Sequence, residues 1–305
     1  MPKLNRRSFI ESSAALAGSG GIATGAIAGA ENSTEQPEKE QPENTIGKTP
    51  HTRFAVNVEM WWTQLPFLER IRRAAGLGFP AVEFWPYQGK DLAAIARLTS
   101  DLKVEIAQFT AWGFTPGMNH PENESRFLAT IEEACQVAHQ LRCDKMTVVA
   151  GNVQKGMTQQ QMLGQVVKAL RHAAPIAEKN KVMLILEPMN GRVDHPGHCL
   201  YGSPDAVRIC QQVDSPYVKI NWDLYHMQIE EGDLCGRLRD GFKQVGYLQL
   251  ADHPGRHEPG TGEIHYNRVL RAASELGYRG YVGLECRPRG TEVAAARAVA
   301  AADVW

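Results

Sequence analysis

Three observations in the 305-residue sequence predict an α/β fold built as a single (β/α)8 barrel. From Arg53 onward, short apolar runs alternate with amphipathic segments of helical period. Eight such runs fill residues 53–305, so each unit takes roughly 32 residues, the repeat of one βα unit in a barrel of about 250. A doubly wound open sheet would place a Gly-rich phosphate turn after its first strand, whereas that strand here runs into Glu59-Met60-Trp61-Trp62.

The first thirty residues stand outside this pattern. Asn5-Arg6-Arg7-Ser8-Phe9-Ile10 heads a weakly apolar stretch from Ala14 to Ile27 that ends in Ala28-Gly29-Ala30. It resembles a twin-arginine signal with a small-x-small cleavage site. Five Gly between positions 18 and 29 dilute the run, which falls short of the roughly 20 strongly apolar residues a membrane span needs. The expectation is periplasmic export by the twin-arginine machinery, which moves folded proteins; a retained anchor is the alternative. Residues 31–52, rich in Glu, Pro, Gln and Asn, have too little apolar surface to fold and read as a disordered linker.

Within the barrel the expected strands are Phe54–Trp61, Ala81–Trp85, Val104–Thr110, Lys145–Ala150, Val182–Glu187, Val218–Asp223, Val245–Ala251 and Tyr281–Glu285. Helical patterns between them include Pro66–Ala75, Leu92–Asp101, Glu124–Leu141, Gln159–Lys179, Pro204–Val213 and Asn267–Leu276.

Charge narrows the function. Lys plus Arg number 33 against 34 Asp plus Glu, for a formal charge of −1. Residues 1–30 carry a net +2 and residues 31–52 a net −3, which leaves the barrel neutral and without a cationic field for nucleic acid or anionic lipid. The six cysteines contain no CxxC pair, so zinc-ribbon and thioredoxin-like chemistry are not indicated, and buried free thiols are the expected state. HExxH, Walker A and GxSxG motifs are missing as well.

The chemistry of a barrel sits at the carboxyl ends of its strands. Four apolar runs close on a polar residue there: Glu187, Asp223, Gln249 and Glu285, from strands five to eight, at spacings of 36, 26 and 36. Each spacing is about one βα unit, so the four side chains should converge. Three carboxylates meeting in a partly dehydrated pocket repel one another unless a cation joins them, and oxygen donors favour a hard ion, Mg²⁺ or Mn²⁺. His226, just past Asp223, is placed to meet a substrate oxygen or a ligand carboxylate. Glu83 closes strand two in the same way and is a candidate for holding substrate hydroxyls. Trp61, Trp62, Trp85 and Trp112 lie near strand ends and are candidates for a pocket wall or for barrel packing.

These residues carry a resemblance. The stretches Pro66-Phe67-Leu68-Glu69-Arg70, Gly78 to Phe84, Glu187-Pro188-Met189-Asn190, Gln249 to Glu263 and Gly283 to Pro288 make the chain similar to the hydroxypyruvate isomerase family, within the xylose-isomerase-like TIM barrel superfamily. The similarity spans essentially all of 53–305, and the loop from Pro254 to Glu263 is its most specific part. It implies an isomerase, an intramolecular oxidoreductase that converts hydroxypyruvate to tartronate semialdehyde through an enediolate. One divalent metal ion and no organic cofactor are implied. Glu187, Asp223, Gln249 and Glu285 would be the metal ligands, Glu187 and Glu285 doubling as the proton-transfer pair. Arg256 and His226 would hold the substrate's carboxylate or carbonyl oxygen. Sugar 3-epimerases of the superfamily usually present His where this chain has Gln249, which favours the isomerase. The alternatives are a ketose 3-epimerase or other sugar isomerase, an apurinic-site endonuclease, for which a basic face and more strand-end His are wanted, and a non-catalytic sugar-binding barrel. The expected partner is a small keto acid or sugar and not nucleic acid, and homo-oligomerisation is left open.

Overall fold

Each apolar run becomes a strand because its Val, Ile, Leu and Phe side chains are covered on both faces, by the barrel interior and by the surrounding helices. In the computed structural model, which describes residues 43–305, the strands are β1 (Arg53–Asn57), β2 (Ala81–Phe84), β3 (Glu105–Trp112), β4 (Lys145–Val149), β5 (Met183–Glu187), β6 (Val218–Asp223), β7 (Val245–Leu250) and β8 (Tyr281–Leu284). Every strand pairs in parallel with its chain neighbours, and Phe54 of β1 lies beside Val282 of β8, closing the ring. The expected (β/α)8 barrel is the observed fold. The expected signal, residues 1–30, lies outside the described residues, as do residues 31–42 of the expected linker.

The helices are α1 (Phe67–Gly76), α2 (Leu92–Leu102), α3 (Glu124–Leu141), α4 (Gln159–Asn180), α5 (Ser203–Val213), α6 (Leu224–Glu230), α7 (Leu234–Gly241), α8 (Tyr266–Glu275) and α9 (Glu292–Ala301). Their starts follow side-chain caps. Asp91 accepts the Ala94 N–H ahead of α2, and Thr158 and Gln161 form a reciprocal capping box ahead of α4. Helices α6, α7 and α9 were not among the expected patterns: the first two are too short to show a period, and the third is mostly alanine.

Two boundaries differ from expectation by more than two residues. Strand β1 stops at Asn57 instead of Trp61, because the Asn57 carbonyl accepts the N–H groups of Met60 and Trp61 and its side chain accepts that of Glu59, turning the chain. Residues 43–52 of the expected linker are ordered. Ile46 is buried in the main core, Gly47 donates to the Leu77 carbonyl, and the N–H groups of His51 and Thr52 both reach Asp303 Oδ2, at 2.8 and 3.0 Å. The tract is polar in composition, yet its one large apolar residue and its backbone donors find partners on the barrel.

The barrel interior is layered. Ala55, Ala81, Ile185, Tyr247 and Tyr281 belong to an apolar plug. Two residues further toward the carboxyl ends, Asn57, Glu83 and Gln249 join Gln108, Thr147 and Asn221 in a fully buried polar layer. Glu83 is its hub: Asn57 and Gln249 donate to Oε1 at 3.0 and 2.8 Å, and Gln108 and Tyr247 to Oε2 at 3.3 and 2.7 Å. Gly283 makes room for it, since a Cβ there would sit 2.3 Å from Glu83 Oε2. Between sheet and helices lies the main apolar core, and all six cysteines are free, five of them buried.

Candidate active site

Strand ends deliver the site, as the sequence predicts. Glu187 is the last residue of β5, Asp223 the last of β6, and Glu285 follows β8 directly. Asp223 also caps α6: its Oδ1 accepts the Tyr225 N–H at 2.8 Å. That cap starts the helix at once and puts His226 in its first turn, with Nε2 3.6 Å from Asp223 Oδ2 and 3.9 Å from Glu187 Oε1. Glu187, Asp223, His226 and Glu285 are all buried, and each offers an N or O atom within 4.8 Å of the others'.

Three groups hold this cluster beyond those the sequence assigns to it: Trp85, which the sequence offers only as a candidate for the pocket wall and which does line the cavity, and two to which it gives no role. The indole Nε1 of Trp85 donates to Glu285 Oε1 at 2.7 Å, and Arg256 Nη2 donates to Glu285 Oε2 at the same distance. Arg256, expected at the site, sits at φ 57° after Gly255 at φ 103° in the loop beyond β7. The other two are in the loop after β5. Asn190 accepts the N–H groups of Val193 and Asp194 on Oδ1 and donates to Asp194 Oδ2 at 2.7 Å and to His226 Nδ1 at 2.6 Å. His195 stacks on Phe114 at 4.8 Å and meets His226 edge-on at 5.3 Å. Asn190 was visible in the sequence, three residues past Glu187; nothing local marked His195 or the Trp85 contact.

Burial sets the electrostatics. It pushes the carboxyls of Glu187 and Asp223 well above the usual range, the Glu285 charge adding to the effect and Arg256 opposing it. His226 is lowered by burial, with Arg256 second, and is neutral. Asp223 Oδ2 is buried and makes no hydrogen bond with a described residue. Three carboxylates thus face one guanidinium, an imbalance of two negative charges that one divalent cation would neutralise. The orphaned oxygen and the all-oxygen acid set fit such an ion.

Two residues expected at the site lie in the polar layer instead. Gln249 spends its amide on Glu83 and on Asn221, whose Nδ2 donates to its Oε1 at 2.5 Å, and it does not line the cavity. Glu83 also lies outside the lining, both its oxygens taken by the donors described above. Burial raises Glu83 to about 7, the Glu285 charge adding to it and the Gln249, Tyr247 and Asn57 hydrogen bonds opposing it. In a barrel the strands are tilted, so registered neighbours such as Asp223 and Gln249 sit at different heights.

A cavity of about 620 Å³ opens over the cluster; Glu187, His226, Arg256 and Glu285 line its acidic part. The arrangement suits a small molecule with an anionic or carbonyl oxygen for Arg256 and His226 and a C–H bond within reach of a carboxylate.

Comparisons with known proteins place the chain in a family. Residues 71–303 match the family model described as xylose isomerase-like TIM barrel. Hydroxypyruvate isomerase of Escherichia coli K12 is 32% identical over 252 residues, covering 80% of this chain and 97% of the relative. The 2-oxo-tetronate isomerase of Cupriavidus necator is 34% identical over 243 residues, covering 78% and 93%. Among solved structures, one titled AP endonuclease, family 2, from Brucella melitensis superposes with a TM-score of 0.75 at 30% identity, covering 80% of this chain and 96% of that one.

Proposed function

The chain belongs to the xylose-isomerase-like TIM barrel family, in the group of hydroxypyruvate and 2-oxo-tetronate isomerases, and on that premise we propose that it moves a carbonyl between adjacent carbons of a hydroxy-keto acid or sugar. The reference reaction is hydroxypyruvate to tartronate semialdehyde. The observation that carries the proposal is the convergence of Glu187, Asp223, His226 and Glu285 within 4.8 Å at the floor of a cavity that Arg256 also lines.

Glu187, Asp223 and Glu285 would hold the divalent ion, and Gln249 would join them only by releasing Glu83 and Asn221. When bound, such an ion polarises the substrate carbonyl and neutralises charge developing on its oxygen. Arg256 holds the substrate carboxylate, and His226 donates from Nε2 to the C2 oxygen. Glu187, whose carboxylate accepts no hydrogen bond from a described residue, takes a proton from C3; the C–H electron pair becomes the C2–C3 double bond of a cis-enediolate. Glu285 is the partner that takes a proton from solvent and supplies it to C2, and Glu187 gives its proton up to solvent, so both end as carboxylates. The O3 proton passes to O2, which leaves the carbonyl at C3.

The test is an activity screen of the purified protein loaded with Mg²⁺ or Mn²⁺, on hydroxypyruvate and on keto acids and ketoses of three to six carbons, in ²H₂O. Metal-dependent carbonyl migration with solvent deuterium at the reacting carbons is expected. Turnover without deuterium exchange points to a hydride shift, and inactivity of the metal-loaded protein on the whole panel removes the proposal. Cleavage of DNA at apurinic sites would favour the endonuclease alternative.

A further inference from the structure

Arg256 is delivered to the acid cluster by the loop after β7. Its guanidinium meets Glu285 Oε2 at 2.7 Å, lies 3.8 Å from Asp223 Oδ2 and stands over the Tyr225 ring at 5.0 Å. The backbone beneath it is left-handed, at φ 57°, a conformation that a non-glycine residue keeps only where its surroundings impose it. Asp252 supplies that constraint. It is fully buried just past β7, and its carboxylate takes four backbone N–H groups from the loop it precedes. Those of His253 and Ile264 reach Oδ1 at 2.9 and 3.0 Å, and those of Gly260 and Gly262 reach Oδ2, both at 2.9 Å. The main chain of Asp252 closes the near side: the Arg256 N–H donates to its carbonyl at 3.0 Å, and its own N–H donates to the His257 carbonyl at 2.7 Å. The loop is thus wrapped around one carboxylate. Gly262 is part of the wrapping, since a Cβ there would sit 2.2 Å from the His253 carbonyl oxygen and 2.6 Å from Asp252 Oδ1. On its far side the loop is fastened to the segment that follows Glu285. The Arg287 N–H donates to the Arg256 carbonyl at 2.8 Å, and the Arg289 N–H to Glu258 Oε2 at 2.9 Å.

The structure assigns Asp252 as a positioning residue that acts through Arg256: it sets the loop that aims the guanidinium at Glu285 and at an incoming carboxylate. A carboxylate suits this task because each of its oxygens accepts two hydrogen bonds and neither donates. An amide in its place turns two donors toward two backbone N–H groups and leaves them unsatisfied. The assignment rests on the isomerase reading only for the identity of the anion that Arg256 holds.

The test is a pair of double-mutant cycles on the full chain, read by binding and not by turnover. Calorimetric titrations with Mn²⁺ alone and with hydroxypyruvate are run on wild type, Asp252→Asn, Gly262→Ala, Arg256→Ala and the double variants that combine Arg256→Ala with each loop substitution. Gly262→Ala crowds the same carboxylate without changing charge, so it covers the case in which Asp252→Asn fails to fold or acts by its lost charge; circular dichroism checks folding. Arg256 repels a cation arriving at Glu285 and Asp223, so Arg256→Ala should bind Mn²⁺ at least about threefold more tightly. Both loop variants should move in the same direction, and all three single variants should bind hydroxypyruvate at least about tenfold more weakly. In the Arg256→Ala background neither loop substitution should change either affinity further. A readout without any ligand is the ¹⁵N–¹H signal of the Arg256 Nε–H, assigned by its loss in Arg256→Ala, which both loop variants should shift or broaden. Affinity losses that persist at full size without Arg256 overturn the assignment, as does an Nε–H signal that neither folded loop variant moves. If wild type binds Mn²⁺ but not hydroxypyruvate, the isomerase reading of Arg256 fails, and the Mn²⁺ cycle with the Nε–H signal still decides the role of Asp252.

Discussion

Asn190 donates a side-chain N–H to Nδ1 of His226 over 2.6 Å, and its own orientation is fixed by two backbone N–H groups on Oδ1. Nδ1 is therefore the acceptor, and the imidazole proton sits on Nε2, facing Asp223 and Glu187. His226 is thereby a donor into the cavity and not a ligand through that nitrogen. Asn190→Asp should demand a proton on Nδ1 and strip it from Nε2. Turnover should fall by at least about 10², the scale of a misplaced tautomer at a catalytic imidazole. Imidazole ¹⁵N shifts report the tautomer directly; normal turnover with Nδ1 protonated would show that the donor is unnecessary.

Glu187→Gln and Glu285→Gln keep shape and an oxygen but lose the proton acceptor. Each should fold and lose activity by about 10² to 10⁴. Metal content must be measured on the same samples, because each substitution also weakens the acid set that would hold the ion. Near-normal turnover in both variants with metal in place would rule out the carboxylate pair.

Asp223 has a folded pKa raised by burial and by Glu285. The folded state therefore holds a proton that the unfolded chain releases, and stability falls as pH rises through that window. Asp223→Asn keeps an acceptor for the α6 cap and removes the charge. With a chelator present at neutral pH its Tm should exceed that of wild type; with Mg²⁺ or Mn²⁺ in excess the order should reverse, since only wild type gains from binding. A Tm order that metal does not change would mean the acids bind no ion.

Two groups outside the cluster pull stability in opposite directions. Burial lowers His198 to about 4 from 6.5, so protonation of the unfolded chain costs stability as pH falls from 6.5 toward 4. Glu83, raised to about 7 from 4.5, costs stability as pH rises across that interval. Between about pH 4.5 and 6.5 the slopes offset each other. Glu83→Gln should steepen the rise of stability with pH there by about 1.4 kcal/mol per unit, measured by denaturant unfolding with a chelator. A slope equal to that of wild type would show that Glu83 ionises normally.

For residues 1–30 the proposal remains a twin-arginine signal processed near Ala30. Lys in place of both Arg6 and Arg7 should leave the protein in the cytoplasm; undiminished periplasmic recovery counts against it.

The barrel and its acids were legible because both depend on local pattern. Short apolar runs closed by Glu187, Asp223 or Glu285 mark strand ends whatever the neighbours do. Glu83 and Gln249 carry the same local signature, yet they fall in the layer below, because height along the axis depends on strand stagger, which no single run encodes. Trp85 and Asn190 act through partners 200 and 36 residues away, so their roles follow from ring closure and from the loop after β5, not from spacing.

A ring made from a linear chain has one seam that the chain itself does not cross, here between β1 and β8. His51 and Thr52, just ahead of β1, meet the stretch from Asp303 to Trp305 that follows α9: both their N–H groups reach Asp303 Oδ2, and His51 stacks on Trp305 at 4.2 Å. The two ends of the folded unit are thus already neighbours. A circular permutant could join them with a few residues and open instead at an exposed helix–strand turn on the opposite side, such as the one after α4, without disturbing Glu187, Asp223 or Glu285.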